Sequence, residues 1–318
     1  MAELSAGVVF IMTKHALLLT VVMLGTIPVV RVQAPQNAPS QRPAQTPATS
    51  PESPPVSVQD IPYGTAGGHP LLLDIYEPGG GGSELHPAVV LIHGGGWTNF
   101  DKGNMRSMGM FLARCDFVAF SVDYRLFHGS ENQWPAQLDD VQRAVRWIRA
   151  NAAKYHLDPD RIGAFGHSAG AQLAALLGME GTRDNSDPAL AKYSSTVQAV
   201  VEVSGPSDFT THRDPDDEAF LTKFLGGDYA HHAELWRDAS PVFHVSKGAS
   251  PFLIVHGSQD AEVPIAQSQD LADKLTQAGV PVKFVQVEDV HTFQTPEARK
   301  RLALETQAFF TQYLRPAK

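Results

Sequence analysis

Ile162-Gly163-Ala164-Phe165 runs straight into Gly166-His167-Ser168-Ala169-Gly170, and the apolar segment Leu173 to Leu177 follows at once. The first four residues have the length and composition of a buried strand, and the last segment reads as a helix. Between them stands a serine flanked by glycines. A serine held on a sharp strand-to-helix turn is strained and exposed, and the glycines on either side make room for it. The helix N-terminus behind it favours negative charge on a reacting oxygen. Gly-x-Ser-x-Gly also occurs by chance in ordinary glycine-rich turns. The strand before it and the helix after it are what single out Ser168 as a candidate nucleophile.

Outward from this point, short apolar runs alternate with helical patterns. The runs are Ala88 to Ile92, Phe117 to Val122, Ile162 to Phe165, Val197 to Val203, Phe252 to Val255 and Val282 to Val287. The clearest helix places Leu138, Val141, Val145, Ile148 and Ala152 on one face, with Asp139 and Asp140 read as charges of its first turn. Continuous apolar strands separated by amphipathic helices predict a parallel sheet covered on both faces. Upstream, Val56 to Tyr63 and Pro70 to Tyr76 alternate around Thr65-Ala66-Gly67-Gly68, which predicts an antiparallel hairpin. The expected fold is α/β: a mostly parallel eight-stranded sheet, helices on both faces and an N-terminal antiparallel hairpin.

Three further groups are needed around a nucleophilic serine. His93-Gly94-Gly95-Gly96-Trp97 lies directly after the strand Ala88 to Ile92. Consecutive glycines there can turn backbone N–H groups toward one point, as a developing oxyanion requires. Among thirteen histidines, His291 follows the last strand and precedes the C-terminal helix, where the order serine, acid, histidine would put the base. His256 precedes the best acid and reads as support for its loop, while His231 and His232 read as surface groups. Asp260, on the loop after Phe252 to Val255, is the leading acid; Asp208 is the runner-up and Glu288 a distant third. His167 adjoins the serine, but neighbours along a strand turn point apart.

With these pieces in place, the chain resembles the hormone-sensitive-lipase-like esterases, and more closely the bacterial acetyl and feruloyl esterase branch of the α/β-hydrolases. The matching residues are His93 to Trp97, Asp123-Tyr124-Arg125-Leu126, Trp134-Pro135, Asp158-Pro159-Asp160-Arg161, Gly166 to Gly170, Gly205 to Asp208, Asp260 with Pro264, and His291 with Phe293. The resemblance covers nearly the whole folded region and is specific to fold and site, not to substrate. It implies an acyl-enzyme mechanism on carboxylic esters, with Ser168, Asp260 and His291 as the reacting set. It also implies that Gly95, Gly96 and Ala169 donate the oxyanion N–H groups. Short-chain esters, or acetyl and feruloyl esters of carbohydrate, are the expected substrates, from small molecules to polysaccharide. An arylformamidase-like amide hydrolase shares the His-Gly-Gly-x-Trp pattern, and a non-catalytic binding module predicts a broken set where this one is intact.

The remaining sequence bounds the surroundings. The 318 residues carry a net charge of -9, which counts against nucleic acid as a partner. No metal-ligand spacing and no phosphate loop appears, so no cofactor is expected. Residues 1–34 read as a leader: Lys14 and His15 precede an apolar run from Ala16 to Val30, and Val32-Gln33-Ala34 resembles a cleavage site. Residues 35–57, with Pro35, Pro39, Pro43, Pro47 and Pro51, read as an extended spacer, and 58–318 as the catalytic domain. The expectation is an exported protein, periplasmic or secreted, or one tethered to a membrane if the leader stays uncleaved. Asp123 and Arg125 are expected to brace the active-site loops, and Cys115 to be a buried thiol at a helix end. Phe220, Phe224, Leu225, Tyr229 and Trp236, in the segment from Thr210 to Val242, either shape an acyl pocket or pack as core.

Overall fold

The computed structural model describes residues 54–80, 84–184, 186–211 and 215–315. The leader assigned to residues 1–34 and the spacer up to residue 53 lie outside the described residues. Val56 and Ser57, at the end of the expected spacer, already belong to the first strand, β1 (Val56–Ala66), which turns at Gly67 and Gly68 into β2 (His69–Glu77). Both glycines have positive φ, the backbone such a tight turn demands.

Six more strands follow: β3 (His86–Ile92), β4 (Val118–Val122), β5 (Leu157–His167), β6 (Ala199–Val203), β7 (Phe252–Gly257) and β8 (Val282–Val287). They form one eight-stranded sheet in the order β1-β2-β4-β3-β5-β6-β7-β8. Among the described strands the β1–β2 and β2–β4 pairs are antiparallel, and every pair from β4 onward is parallel. Strand alternation divides the core into two layers. Ala88, Val90 and Ile92 of β3 face one layer together with α2 (Ala136–Ala150), α3 (Ala169–Leu177) and α6 (Ile265–Gln277). Val89 and Leu91 face the other with α1 (Arg106–Arg114) and α7 (Pro296–Leu314). Two further helices, α4 (Pro215–Leu225) and α5 (Tyr229–Asp238), lie between β6 and β7 in the chain.

Helix α2 buries Leu138, Val141, Val145 and Ile148 completely, each contributing roughly 1.5–3 kcal/mol of hydrophobic stabilisation. One expectation about this helix is corrected. It begins at Ala136, so Asp139 alone is an acid of the first turn, and Asp140 is buried. Burying a lone carboxylate would cost several kcal/mol. Asp140 instead accepts two bonds from the Arg125 guanidinium, Nε to Oδ2 and Nη2 to Oδ1, both 2.8 Å, and one from the Arg125 amide. The pair clamps the loop after β4 to the start of α2. Asp123 next to it accepts the Lys102 amide at 2.7 Å, and its carbonyl accepts the Tyr63 hydroxyl. Cys115 caps α1 as expected but is half-buried, not buried; desolvation still pushes its thiol up.

Candidate active site

The site begins at the junction of β5 and α3. Ser168 stands between the last residue of β5 and the first of α3 at φ +55°. A side chain at Gly166 would overlap the carbonyl of Gly170, and one at Gly170 would overlap the carbonyls of Ile92 and His93. The two glycines therefore let strand, helix and neighbouring loop approach closely enough to hold the turn. All nine residues of α3 are buried, and the Ser168 amide donates to the Val203 carbonyl at 2.8 Å. The left-handed backbone is thus held by rigid elements on every side.

Three sequence-singled residues meet here. His291 Nε2 is 2.8 Å from Ser168 Oγ, and His291 Nδ1 is 2.7 Å from Asp260 Oδ2. The other oxygen of Asp260 accepts the amides of Glu262 and Val263, each at 2.9 Å. Burial alone would raise the Asp260 carboxyl. The bonds from His256, His291 and the Val263 amide outweigh it and hold the group well below the usual carboxylate range. Asp260 is therefore an anion facing the imidazole that faces the serine. Asp208, the runner-up acid, binds Thr210 through Oδ1 instead, and Glu288, His231 and His232 are exposed.

His291 lies on the turn between β8 and α7, and Asp289 fastens that turn. Its carboxylate accepts the amides of Val290, Gln294 and Thr295 and the Thr295 hydroxyl, which together hold it down to about 2. His167 fastens it from the other side: its Nε2 is 2.9 Å from the His291 carbonyl. Desolvation lowers His167 to about 4, so the ring is neutral at ordinary pH and its Nε2–H is the donor. The ring ends on the histidine that serves the serine, with the two ring centroids 5.0 Å apart. That contact spans 124 residues and left no local signal in the sequence.

The glycine loop after β3 completes the rim. Gly95 and Gly96 have φ of +101° and +58°, and the Gly95 carbonyl accepts the amides of Thr98 and Asn99. Ala169 is the first residue of α3, so its amide has no acceptor within the helix. Below the loop, His93 stacks on Tyr124 at 4.3 Å, and Trp97 is anchored by its indole N–H to Gln172. A cavity of about 270 Å³ opens on Ser168, with Gly96, Ala169, Trp97, Phe209, Phe220 and Leu221 in its wall. A wider groove of about 740 Å³ leaves on the other side of Ser168, past Gly95, Asn99, Phe100 and Arg299. Of the five residues weighed for an acyl pocket, Phe220 alone reaches the cavity. Phe224, Leu225 and Trp236 are buried core, and Tyr229 packs on Trp236.

A mostly parallel eight-stranded sheet with a strained serine at the turn after its fifth strand defines the α/β-hydrolase class. The BD-FAE family model matches residues 73–275, and the chain belongs to that family. His291 lies beyond the matched range. Esterase LipQ of Mycobacterium tuberculosis is 32% identical over 238 residues, covering 73% of this chain and 56% of LipQ. The butyrate-bound structure of the thermophilic esterase Est2 from Thermogutta terrifontis superposes with a TM-score of 0.70 at 26% identity, covering 81% of this chain and 96% of Est2. A truncated carbohydrate esterase from gut microbiota superposes with a TM-score of 0.67 at 28% identity, covering 81% and 95%. The chain spans about half the length of the curated relatives it matches.

Proposed function

We propose that the protein is a carboxylic ester hydrolase working through an acyl-enzyme on Ser168. The observation that carries this reading is the run of contacts Ser168 Oγ to His291 Nε2, 2.8 Å, and His291 Nδ1 to Asp260 Oδ2, 2.7 Å, at the floor of the cavity. His291 takes the serine proton as Oγ attacks the acyl carbon, and Asp260 holds the imidazole in the tautomer that leaves Nε2 free to accept. The N–H groups of Gly95, Gly96 and Ala169 receive the developing oxyanion. The proton then passes from His291 to the leaving alcohol, and water repeats the sequence on the acyl group.

The cavity of about 270 Å³ walled by Trp97, Phe220 and Leu221 suits acyl groups from acetyl to about butyryl, and a structural neighbour described with butyrate agrees with that size. The alcohol half would leave through the wider groove. There the Asn99 and Asn104 side chains, Arg299 and the exposed ring of Phe100 offer the mixture of polar groups and apolar face that a sugar presents in return. A neighbour described as a carbohydrate esterase supports a carbohydrate alcohol. Ser168→Ala is expected to keep the fold, seen by circular dichroism, and to lose ~10³-fold or more in kcat on p-nitrophenyl acetate. Asp260→Asn is expected to cost far more than Asp208→Asn. Retention of more than a few per cent of kcat by Ser168→Ala, or a larger loss at Asp208, would overturn the assignment.

A further inference from the structure

Behind Asp260 the protein buries a second set of ionisable groups that ester hydrolysis as written does not use. His256, at the end of β7, is fully buried, with Nε2 3.2 Å from Asp260 Oδ2 and 2.9 Å from the Val263 carbonyl. Both neighbours of Nε2 only accept, so this nitrogen carries a proton. On its other side, Nδ1 is 2.7 Å from the hydroxyl of Ser268, a fully buried residue of α6. Glu202, on β6, is 1% exposed. Its Oε1 accepts the Gly205 amide, its Oε2 has no hydrogen-bond partner among the described residues, and the groups beside it that favour ionisation include His256 and the Ser268 hydroxyl. A buried carboxylate with an unused oxygen is costly to retain, and a hydroxyl that can turn toward it lies one step from an imidazole.

We propose that Glu202, Ser268 and His256 form a buried relay behind Asp260 that carries one shared proton and so sets how strongly Asp260 acts on His291. The proposal rests on the reading of Ser168, His291 and Asp260 given above. At neutral pH the proton rests on His256. Nδ1–H then donates to Ser268, Ser268 donates to Glu202 Oε2, and Nε2–H is shared between the Val263 carbonyl and Asp260 Oδ2. When the proton moves, the Nδ1–H bond breaks as the serine oxygen gains that hydrogen and passes its own to Glu202; no electrons leave the set and its total charge is unchanged. These three are positioning residues, since none touches the reacting atoms.

The surroundings agree with a shared proton. Burial pushes Glu202 up to about 7, into the range of an imidazole. Desolvation would lower His256, but the bond to Asp260 and the charge of Glu202 outweigh it and raise the ring. The titratable groups around the relay are Asp260 and His291 on the loops after β7 and β8, and His167 at the end of β5. Helix α3 brings the Ala171 methyl and the Gln172 backbone amide, neither of them charged, beside the Glu202–Gly205 contact. A cationic His256 beside Asp260 partly offsets the pull of that carboxylate on a protonated His291. Loss of that cation would strengthen the hold of Asp260 on a protonated His291.

Two measurements test this. Histidine-selective 15N NMR on the wild-type chain is expected to show both nitrogens of His256 protonated at pH 7; a bare Nδ1 at pH 6 would overturn the relay without reference to activity. Glu202→Gln and Ser268→Ala, confirmed as folded by thermal melting, are expected to move the acid limb of kcat/KM upward by roughly half to one pH unit, with Glu202→Gln the larger. An unmoved acid limb in a folded Glu202→Gln variant counts against the relay, and the NMR result decides the case if the variants do not fold. Activity surviving in Ser168→Ala would defeat the reading of the serine, while the state of His256 would still be read separately.

Discussion

Asp289 touches no substrate atom in the proposed mechanism, yet it holds the turn on which His291 stands. Four donors converge on its carboxylate, and each would lose its acceptor in Asp289→Ala. A base displaced by even 1 Å can lose ~10²-fold in rate, so Asp289→Ala is expected to lower kcat by about tenfold to a hundredfold while Asp289→Asn keeps more. The pH dependence has a definite sign. The folded carboxyl is held at about 2, below the value of about 3.9 for an unfolded aspartate. Its stabilisation is therefore present above pH ~4 and disappears as the pH falls toward 2. Urea unfolding between pH 5 and 2 should show a smaller acid loss in Asp289→Asn than in the wild type; equal losses would mean another carboxylate dominates. Ser168, Asp260 and His291 could be singled out because each occupies a turn that directly follows a strand. Asp289 shares the turn of His291, and its acceptor role there is local to the chain; His167 and Glu202 carried no such mark. The partner of His167 lies 124 residues along the chain, and a buried glutamate on β6 looks in sequence like any polar break in an apolar run.

At the scale of elements, α4 governs the width of the proposed acyl cavity. Phe220 and Phe224 share one face at i, i+4 spacing and stack at 6.0 Å, while Phe224 lies against Trp97 at 4.7 Å. Helical periodicity tells which residues share a face; it does not tell how far along that face the cavity reaches, which is why five aromatic and apolar residues remained open until the packing was known. The same limit applied to α2. Its apolar stripe was legible, but the partner that takes Asp140 into the core comes from a loop eleven residues before the helix begins, and pairing between elements leaves no period. Phe220 is the wall residue whose removal enlarges the cavity without hollowing the core, being only partly buried. Phe220→Ala is expected to raise kcat/KM for the octanoyl over the butyryl p-nitrophenyl ester by about tenfold, since each further buried methylene is worth ~0.8 kcal/mol and only part of that gain is realised. An unchanged chain-length profile would place the acyl group in the other groove.

For the molecule as a whole, strand count and the parallel core followed from apolar runs of strand length separated by amphipathic helices. The position of β4 between β2 and β3 did not, because strand order is absent from periodicity and is seen only in the sheet itself. The compartment in which the domain works rests on a different kind of signal. We propose that the chain is exported, on the strength of Lys14 and His15 before the apolar run Ala16 to Val30, and of the proline-rich stretch that follows. An h-region of that length is short of the ~20 residues that span a bilayer comfortably, which favours a cleaved leader over an anchor. Pro35 directly after Ala34 works the other way, because a proline following the scissile bond hinders signal peptidase. Cleavage at another small residue would release the domain, and no cleavage would leave it held off the membrane by the spacer. Both outcomes put Ser168 on the far side of the membrane, where polymeric esters too large to enter a cell can reach the groove. Expression in a bacterium with an export system, followed by fractionation and N-terminal sequencing, should find esterase activity outside the cytoplasm and identify the new N-terminus if there is one. Full-length enzyme confined to the cytosol would remove the case for a polysaccharide substrate together with the case for export, and leave small diffusible esters as the substrates to test.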